Sequence, residues 1–405
     1  MSADDLQDVE ERRRAARALL LHPLLTAEGK HGDDFRLVRR HQSELTKMFA
    51  GDLRYRLHVA PTVARLFKPG VGRDSTRPLY RRSGATFSPR TYALLCLTIA
   101  ALTRCRSQLL VDELVQQVRS AAVDAGIEVD LDAISDRRAL HAALWQLIGL
   151  GVLRERDGDL EHWADQRTQS LLDVRRDLLA LLVSAPMGAM RSADDVLAPS
   201  SLPSAIGGAR VAIRRQLLES PSLTSADLSD EHAEWWRRNR NRERDWYDTR
   251  FGLSLELRTE GAAVIDPDGA FTDEHFPGAD KTRQLALLVL ERLVDTVLSA
   301  HGEPSTSADG DVRGWRPLLS TEAERAAHRV RDQWHSRLRR DQQDDPGEAI
   351  SAAFDVLRRF GLIRRQGDLV LVHPAAARYS PQVAIAEASA TGERSLFDIT
   401  TDDED

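Results

Sequence analysis

An internal repeat constrains this fold more than any other feature of the sequence. Residues 139–154 (ALHAALWQLIGLGVLR) align without a gap with residues 349–364 (AISAAFDVLRRFGLIR). Ala139, Ala142, Ala143, Leu147, Gly151 and Arg154 recur identically as Ala349, Ala352, Ala353, Leu357, Gly361 and Arg364. Leu140, Leu144, Leu150, Val152 and Leu153 recur in character as Ile350, Phe354, Phe360, Leu362 and Ile363. GDL then follows at 158–160 and again at 367–369, one residue sooner in the second stretch. Apolar residues at three- and four-residue spacing make each stretch an amphipathic helix. Two ordinary helices can share core spacing alone. The shared order of helix, glycine, apolar pair, arginine and turn favours a structural repeat.

The flanks supply the rest of each unit. Ser88-Pro89 opens a helix to about Arg104: serine accepts from a first-turn N–H, and proline at the first position loses no bond. Ser107 is expected to cap a second helix ending at Gly126, and Ser135 a third ending at Gly151. GVLRERDGDLEHW reads as two short strands about an Asp-Gly turn. Three helices and a hairpin make a winged-helix domain over 88–165. In the second unit, over 282–380, residues 282–300 form an apolar helix. Thr321 and Glu324 resemble a capping box for a helix to about Arg340. Asp345-Pro346-Gly347-Glu348 starts a third, which passes into the hairpin GLIRRQGDLVLVHP. The expected class is mainly α with short β-hairpins, organised as tandem winged-helix domains.

Residues 1–87 read as an N-terminal helical and strand region, with helices over 8–25 and 33–49. LRYRLHV then alternates, placing Leu53, Tyr55, Leu57 and Val59 on one face and Arg54, Arg56 and His58 on the other. A loop rich in Gly, Pro and Arg follows. Residues 166–281 form a middle region with helices at about 170–183, 206–219 and 230–250, and a hairpin turning at Glu260-Gly261. It could be a degenerate third helix-plus-wing unit. Residues 381–405 read as an acidic, disordered tail.

Charge is unevenly distributed. The 405 residues carry a net −7, so the chain as a whole is not a generic polyanion binder. Residues 36–90 nevertheless hold thirteen Lys or Arg against three acids, while 387–405 hold seven acids and one Arg. The two cysteines, Cys96 and Cys105, lie on opposite faces of one helix and read as buried small hydrophobes. That usage fits a reducing compartment. The charged N-terminus and the lack of a long apolar run point to a cytoplasmic protein.

Catalytic patterns are not found. The sequence has no Walker phosphate loop, no His-Glu-x-x-His and no Gly-x-Ser-x-Gly. Asp266, Asp268, Asp273 and Glu274 do not follow a calcium-loop spacing and read as a solvated loop. No catalytic residue, metal or cofactor is assigned, and the chain is expected not to be an enzyme. Phosphate binding has better support. Arg36, Arg39 and Arg40 share a helix face, Arg54 and Arg56 share a strand face, and Arg73, Arg77, Arg81 and Arg82 lie on the loop. Counterion release rewards such a cluster, although a solvated face or an acidic protein partner would suit it equally. Arg54, Arg56, Arg73, Arg77, Arg81 and Arg82 are the candidate DNA-binding residues. In WWRRNRNRERDWY, flanking acids nearly cancel the arginines, so internal ion pairs and core-anchoring tryptophans are the expected reading. The third helices of the two winged units are poor in base-reading donors, which favours protein docking.

ALLLHPLLT, RLVRRHQSEL, LRYRLHVAPTVARL, FSPRTYALLCLTIAAL, RRQLLESP and RTEGAAVIDPDG followed by FPG resemble a bacterial family over nearly the whole chain. The chain is similar to MukE-like, kleisin-interacting tandem winged-helix subunits of Wadjet-type plasmid-defence systems. These are encoded beside a condensin-like SMC ATPase, a kleisin-like subunit and a topoisomerase-VI-like nuclease. The resemblance implies a non-enzymatic homodimer that binds the kleisin, associates with the SMC ATPase and helps clamp double-stranded DNA non-specifically during loop extrusion. A stand-alone winged-helix transcription regulator is the alternative.

Overall fold

A computed structural model describes residues 3–68, 78–183, 207–300 and 314–379. The tail beyond 380, with Arg73 and Arg77, lies outside these residues. Among them no helix is long and apolar enough to cross a membrane. The chain divides into two compact units. One comprises residues 1–202 with 250–252, the other 203–249 with 253–405. The fold is mainly α with short antiparallel hairpins, as expected.

The repeat goes further than the sequence indicated. Four times among the described residues, the chain follows the order helix, strand, one to three helices, strand, strand, short turns aside. Each time the first strand pairs with the third, giving a three-stranded antiparallel sheet in the order first-third-second. This is the winged-helix topology, so the N-terminal and middle regions are copies as well.

In the first copy, α1 (Ala3–Leu21) leads to β1 (Leu24–Thr26), α2 (Gly32–Arg40) and α3 (Gln42–Met48). A π-helical turn, Phe49–Leu53, then precedes β2 (Arg56–Val59) and β3 (Val63–Phe67). The single helix expected over 33–49 breaks at His41, whose ring turns inward to Glu11 at 2.9 Å. Leu53, Tyr55 and Leu57 are buried while Arg54, Arg56 and His58 are exposed, as the alternation requires. The strand itself starts later than expected because Arg54 takes a left-handed φ of 55°. β3 falls between the expected strand and the basic loop, in residues to which the sequence assigned no element. It is the central strand, and its residues are buried almost continuously, which erases the period-two signal.

The second copy contains α4 (Pro89–Arg104), β4 (Gln108–Leu110), α5 (Val111–Asp124) and α6 (Ile134–Gly149). It continues with β5 (Leu153–Gly158), a short α7 (Trp163–Gln166), β6 (Ser170–Val174) and α8 (Arg176–Leu182). Ser88 caps α4, accepting from the Thr91 N–H at 3.2 Å. The other two expected caps are displaced: Ser107 precedes β4, and Leu110 and Ala133 stand at the helix starts. The Asp-Gly turn does not close the hairpin. The partner of β5 is β6, in residues expected to be helical. The intervening loop returns to the core through Leu160 and Trp163, 0% and 2% exposed. Cys105 is buried, but Cys96 is exposed, correcting the expectation for that residue. Nine residues at 100° each place the two on opposite faces, and only one face of α4 packs inward there.

In the third copy α9 (Gly208–Glu219) and β7 (Leu223–Thr224) are followed by a single 3-10 turn, Ser225–Asp227, where the second helix belongs. Next come α10 (Asp230–Phe251), β8 (Ser254–Leu257) and β9 (Gly261–Ile265). α10 anchors through Trp236 and Tyr247, 5% and 0% exposed. The fourth copy contains α11 (Lys281–Ala300), β10 (Arg316–Leu319), α12 (Ser320–Gln333), a short α13 (Arg340–Asp344) and α14 (Pro346–Arg359). β11 (Ile363–Gln366) and β12 (Leu369–Val372) close it. Asp345 caps α14, accepting from the Glu348 N–H at 2.9 Å. The capping box expected at Thr321 and Glu324 is not formed: Leu319 precedes α12, and Glu324 instead pairs with Arg365 at 3.1 Å. α12 stops at Gln333 rather than near Arg340.

The matched segments adopt one conformation. Gly151 and Gly361 have φ of 73° and 65°. In both, the N–H after the glycine reaches back five residues, Val152 to Leu147 and Leu362 to Leu357, each at 2.9 Å. That is the Schellman ending, which favours glycine because a left-handed residue is needed. Leu147 and Leu357 are both fully buried, so the sequence match records equivalent core positions.

Candidate nucleic-acid interface

The basic residues near the N-terminus separate into two groups. On the β2–β3 hairpin of the first copy, Arg56 and His58 face solvent from a rigid strand, with Arg54 exposed just before it. Arg56 lies opposite Phe67 in the register, and its guanidinium carbon stands 3.8 Å from the Phe67 ring centroid. Stacking on a ring face holds the side chain by cation–π attraction while leaving its N–H groups available at the rim. Arg65, across from His58, lies 5.5 Å from the same centroid. The result is a wing with a positively charged outer face.

The arginines of α2 are engaged differently. Arg36 pairs with Asp33. Arg39 donates to the Pro61 carbonyl at the hairpin tip, 3.2 Å away. Arg40 pairs with Glu11 at 2.7 Å, and His41 shares the same carboxylate. Hydrogen bonds from His41, then Arg40 and Gln7, hold the Glu11 carboxyl down at about 2. Asp8, Glu11 and His41 bring one potential ligand atom each within 4.8 Å of one another. Arg40 already supplies the positive charge there, so the arrangement is an ion-pair network rather than a cation cage.

The described end of the basic loop folds onto the second copy. Arg81 closes a turn with Ala85, its N–H donating to that carbonyl at 2.8 Å, and its side chain donates to Thr91 Oγ1 at 3.0 Å. Arg82 pairs with Glu161 and stacks 4.3 Å over the Trp145 ring. The loop was expected to extend freely toward phosphates, but at these two residues it is a strap.

That strap and α7 together cover α6, the third helix of the second copy. Trp145 Nε1 and the Leu160 carbonyl each lie 2.9 Å from His141 Nε2, and burial lowers the His141 pKa. Arg137 donates to the Ala164 carbonyl at 2.9 Å, and Arg138 pairs with Asp165. The surface that a helix-turn-helix reader inserts into the major groove is thus occupied by the chain's own residues. The fourth copy is partly similar: Arg359 of α14 pairs with Glu274, and Phe360 packs on Phe276 at 5.1 Å between centroids. The acidic stretch 266–274, read from sequence as a solvated loop, has Asp266 accepting the Ala270 and Phe271 N–H groups at 2.7 Å.

Sequence reasoning missed the strap because Trp145 and Glu161, the partners of Arg82, lie far along the chain. No curated protein matches this chain. A family model matches residues 16–382. The chain therefore belongs to the family described as Protein of unknown function (DUF2398).

Proposed function

We propose that this protein is a non-catalytic accessory subunit of a bacterial SMC complex, one that binds a kleisin-like chain and helps hold double-stranded DNA during plasmid defence. The observation that carries this reading is the covered third helix of the second copy. A stand-alone regulator reads its operator through an exposed third helix, whereas α6 is occupied by Arg82 and α7. Winged-helix units whose reading helices are closed off retain their wings and outer faces for protein docking. The basic wing bearing Arg54 and Arg56 suits phosphate contacts, which position a protein on DNA without reading sequence. The resemblance to MukE-like subunits supplies the identity of the partners: a kleisin-like subunit, an SMC-type ATPase and a second copy of the chain, with a topoisomerase-VI-like nuclease in the same system.

The test is co-expression with the proteins encoded beside it, followed by affinity purification through this chain. Recovery of a kleisin-like chain and an SMC ATPase in fixed proportion is expected. Purification of this chain alone from cells expressing all its neighbours would sink the proposal. Tight, operator-specific DNA binding by the isolated chain would favour a regulator instead.

A further inference from the structure

We propose that the exposed arginine stripe of α10, the third helix of the third copy, is a contact site for the phosphates of duplex DNA. This deepens the preceding reading, since it rests on the chain handling DNA, and it names a site that the charge balance of the sequence concealed.

Residues 237–244 hold Arg237, Arg238, Arg240, Arg242 and Arg244 with Glu243 as their one acid. The fold removes that acid from the surface. Glu243 is 4% exposed and faces Arg214 of α9, with Oε2 2.6 Å from Nε and Oε1 3.0 Å from Nη2. Its charge is spent on a buried arginine and does not neutralise the outer face. Arg238 pairs with Glu234 one turn earlier. Arg237, Arg240, Arg242 and Arg244 are exposed and make no ion pair or hydrogen bond with the described residues.

Spacings of three and four place Arg237, Arg240 and Arg244 on one face, with exposed Asn241 beside them. The helix is held from behind by buried Trp236 and Tyr247 and by Trp246, whose ring lies 3.9 Å from the Arg214 guanidinium carbon. The stripe is about 10 Å long at 1.5 Å per residue, and duplex DNA presents about six phosphate charges over that length. Arginine matches phosphate geometry and keeps its charge at any working pH. Asp245 and Asp248, exposed beyond the C-terminal end of the stripe, limit the positive region to these two turns. A negatively charged, extended polymer fits this surface, and in an SMC assembly that polymer is the duplex.

The experiment uses the full-length chain and a mixed-sequence duplex of about 30 base pairs, with binding followed by fluorescence anisotropy across a salt series. Replacing Arg237, Arg240 and Arg244 together by Gln is expected to lower the log–log salt slope by about 2.7, at about 0.9 per lost phosphate contact. The corresponding Lys variant keeps the charge and is expected to retain the slope. A far-ultraviolet melt verifies that both variants fold. An unchanged slope in the Gln variant overturns the proposal, as does a wild-type chain that fails to bind at about 50 mM salt. Purification from cells co-expressing the neighbouring genes separates the two readings. If the Gln variant keeps its slope but loses its protein partners, the stripe faces protein, and the SMC-subunit reading survives. If the slope falls while even the wild-type chain recovers no partner, the DNA site stands and the SMC-subunit reading fails.

Discussion

Arg214 and Glu243 form a bidentate ion pair inside the third winged-helix copy, with side chains only 7% and 5% exposed. The pair ties α9 to α10 and decides which side of α10 is positive. Removing one partner leaves a buried, uncompensated charge, which costs roughly 3–5 kcal/mol. Glu243→Ala is expected to lose that much in urea unfolding. Replacing both residues by apolar ones of similar volume should recover most of the loss. A cost below about 1 kcal/mol for the single change would show that water reaches Arg214.

His373 is 2% exposed and links the fourth copy to the third. Its Nδ1 accepts from the Ala375 N–H at 3.0 Å, which leaves Nε2 to donate to Thr224 Oγ1 at 3.0 Å. Burial lowers its pKa below the usual 6.5. As pH falls, the unfolded chain therefore takes up the proton first. The stability contribution is complete above about 6.5, declines below it and levels off once the folded pKa is passed. His373→Asn should flatten the fall in melting temperature between about pH 7 and 5 relative to wild type. Identical pH profiles for the two would remove His373 as a source of that dependence.

The two helix starts that looked alike in sequence should respond differently to mutation. Asp345→Ala removes the cap on the Glu348 N–H and is expected to cost about 1 kcal/mol. Thr321→Ala removes no cap bond, because Leu319 occupies the N-cap position, and should change stability by less than about 0.5 kcal/mol. Equal losses at both sites in equilibrium denaturation would contradict the assignment.

Arg82 is expected to act on folding rather than on phosphates. Both members of its pair with Glu161 are more than half exposed, so Arg82→Ala should cost no more than about 1 kcal/mol even with the loss of its stacking on Trp145. The DNA salt slope of the full chain should stay unchanged. A fall of about 0.9 in that slope would return Arg82 to the phosphate-binding set.

The sequence alone determined the local events. Ser88-Pro89 and Asp345-Pro346 start helices because side-chain oxygens and proline satisfy first-turn geometry without help from the rest of the chain. Gly151 and Gly361 end helices because only a left-handed residue closes that turn. The alternation of exposed Arg56 and His58 with buried Leu57 marks the half-buried strand β2. The tertiary structure decided what depends on distant partners. β3 and β6 are the middle strands of their sheets, each paired on one side with a strand that precedes the intervening helices; the sequence assigned no element to the first and read the second as helix. The third copy was hard to see because its second helix shrinks to one turn and its sheet supplies the missing order. The first was hidden although its helices were read, because β1 overlaps the end of an expected helix and β3 is buried too continuously to alternate. Charge followed the same division. Composition counted Glu243 together with the flanking acids against the neighbouring arginines, but packing turned Glu243 toward Arg214, because a helix separates adjacent residues by about 100° and the core decides which of them faces water.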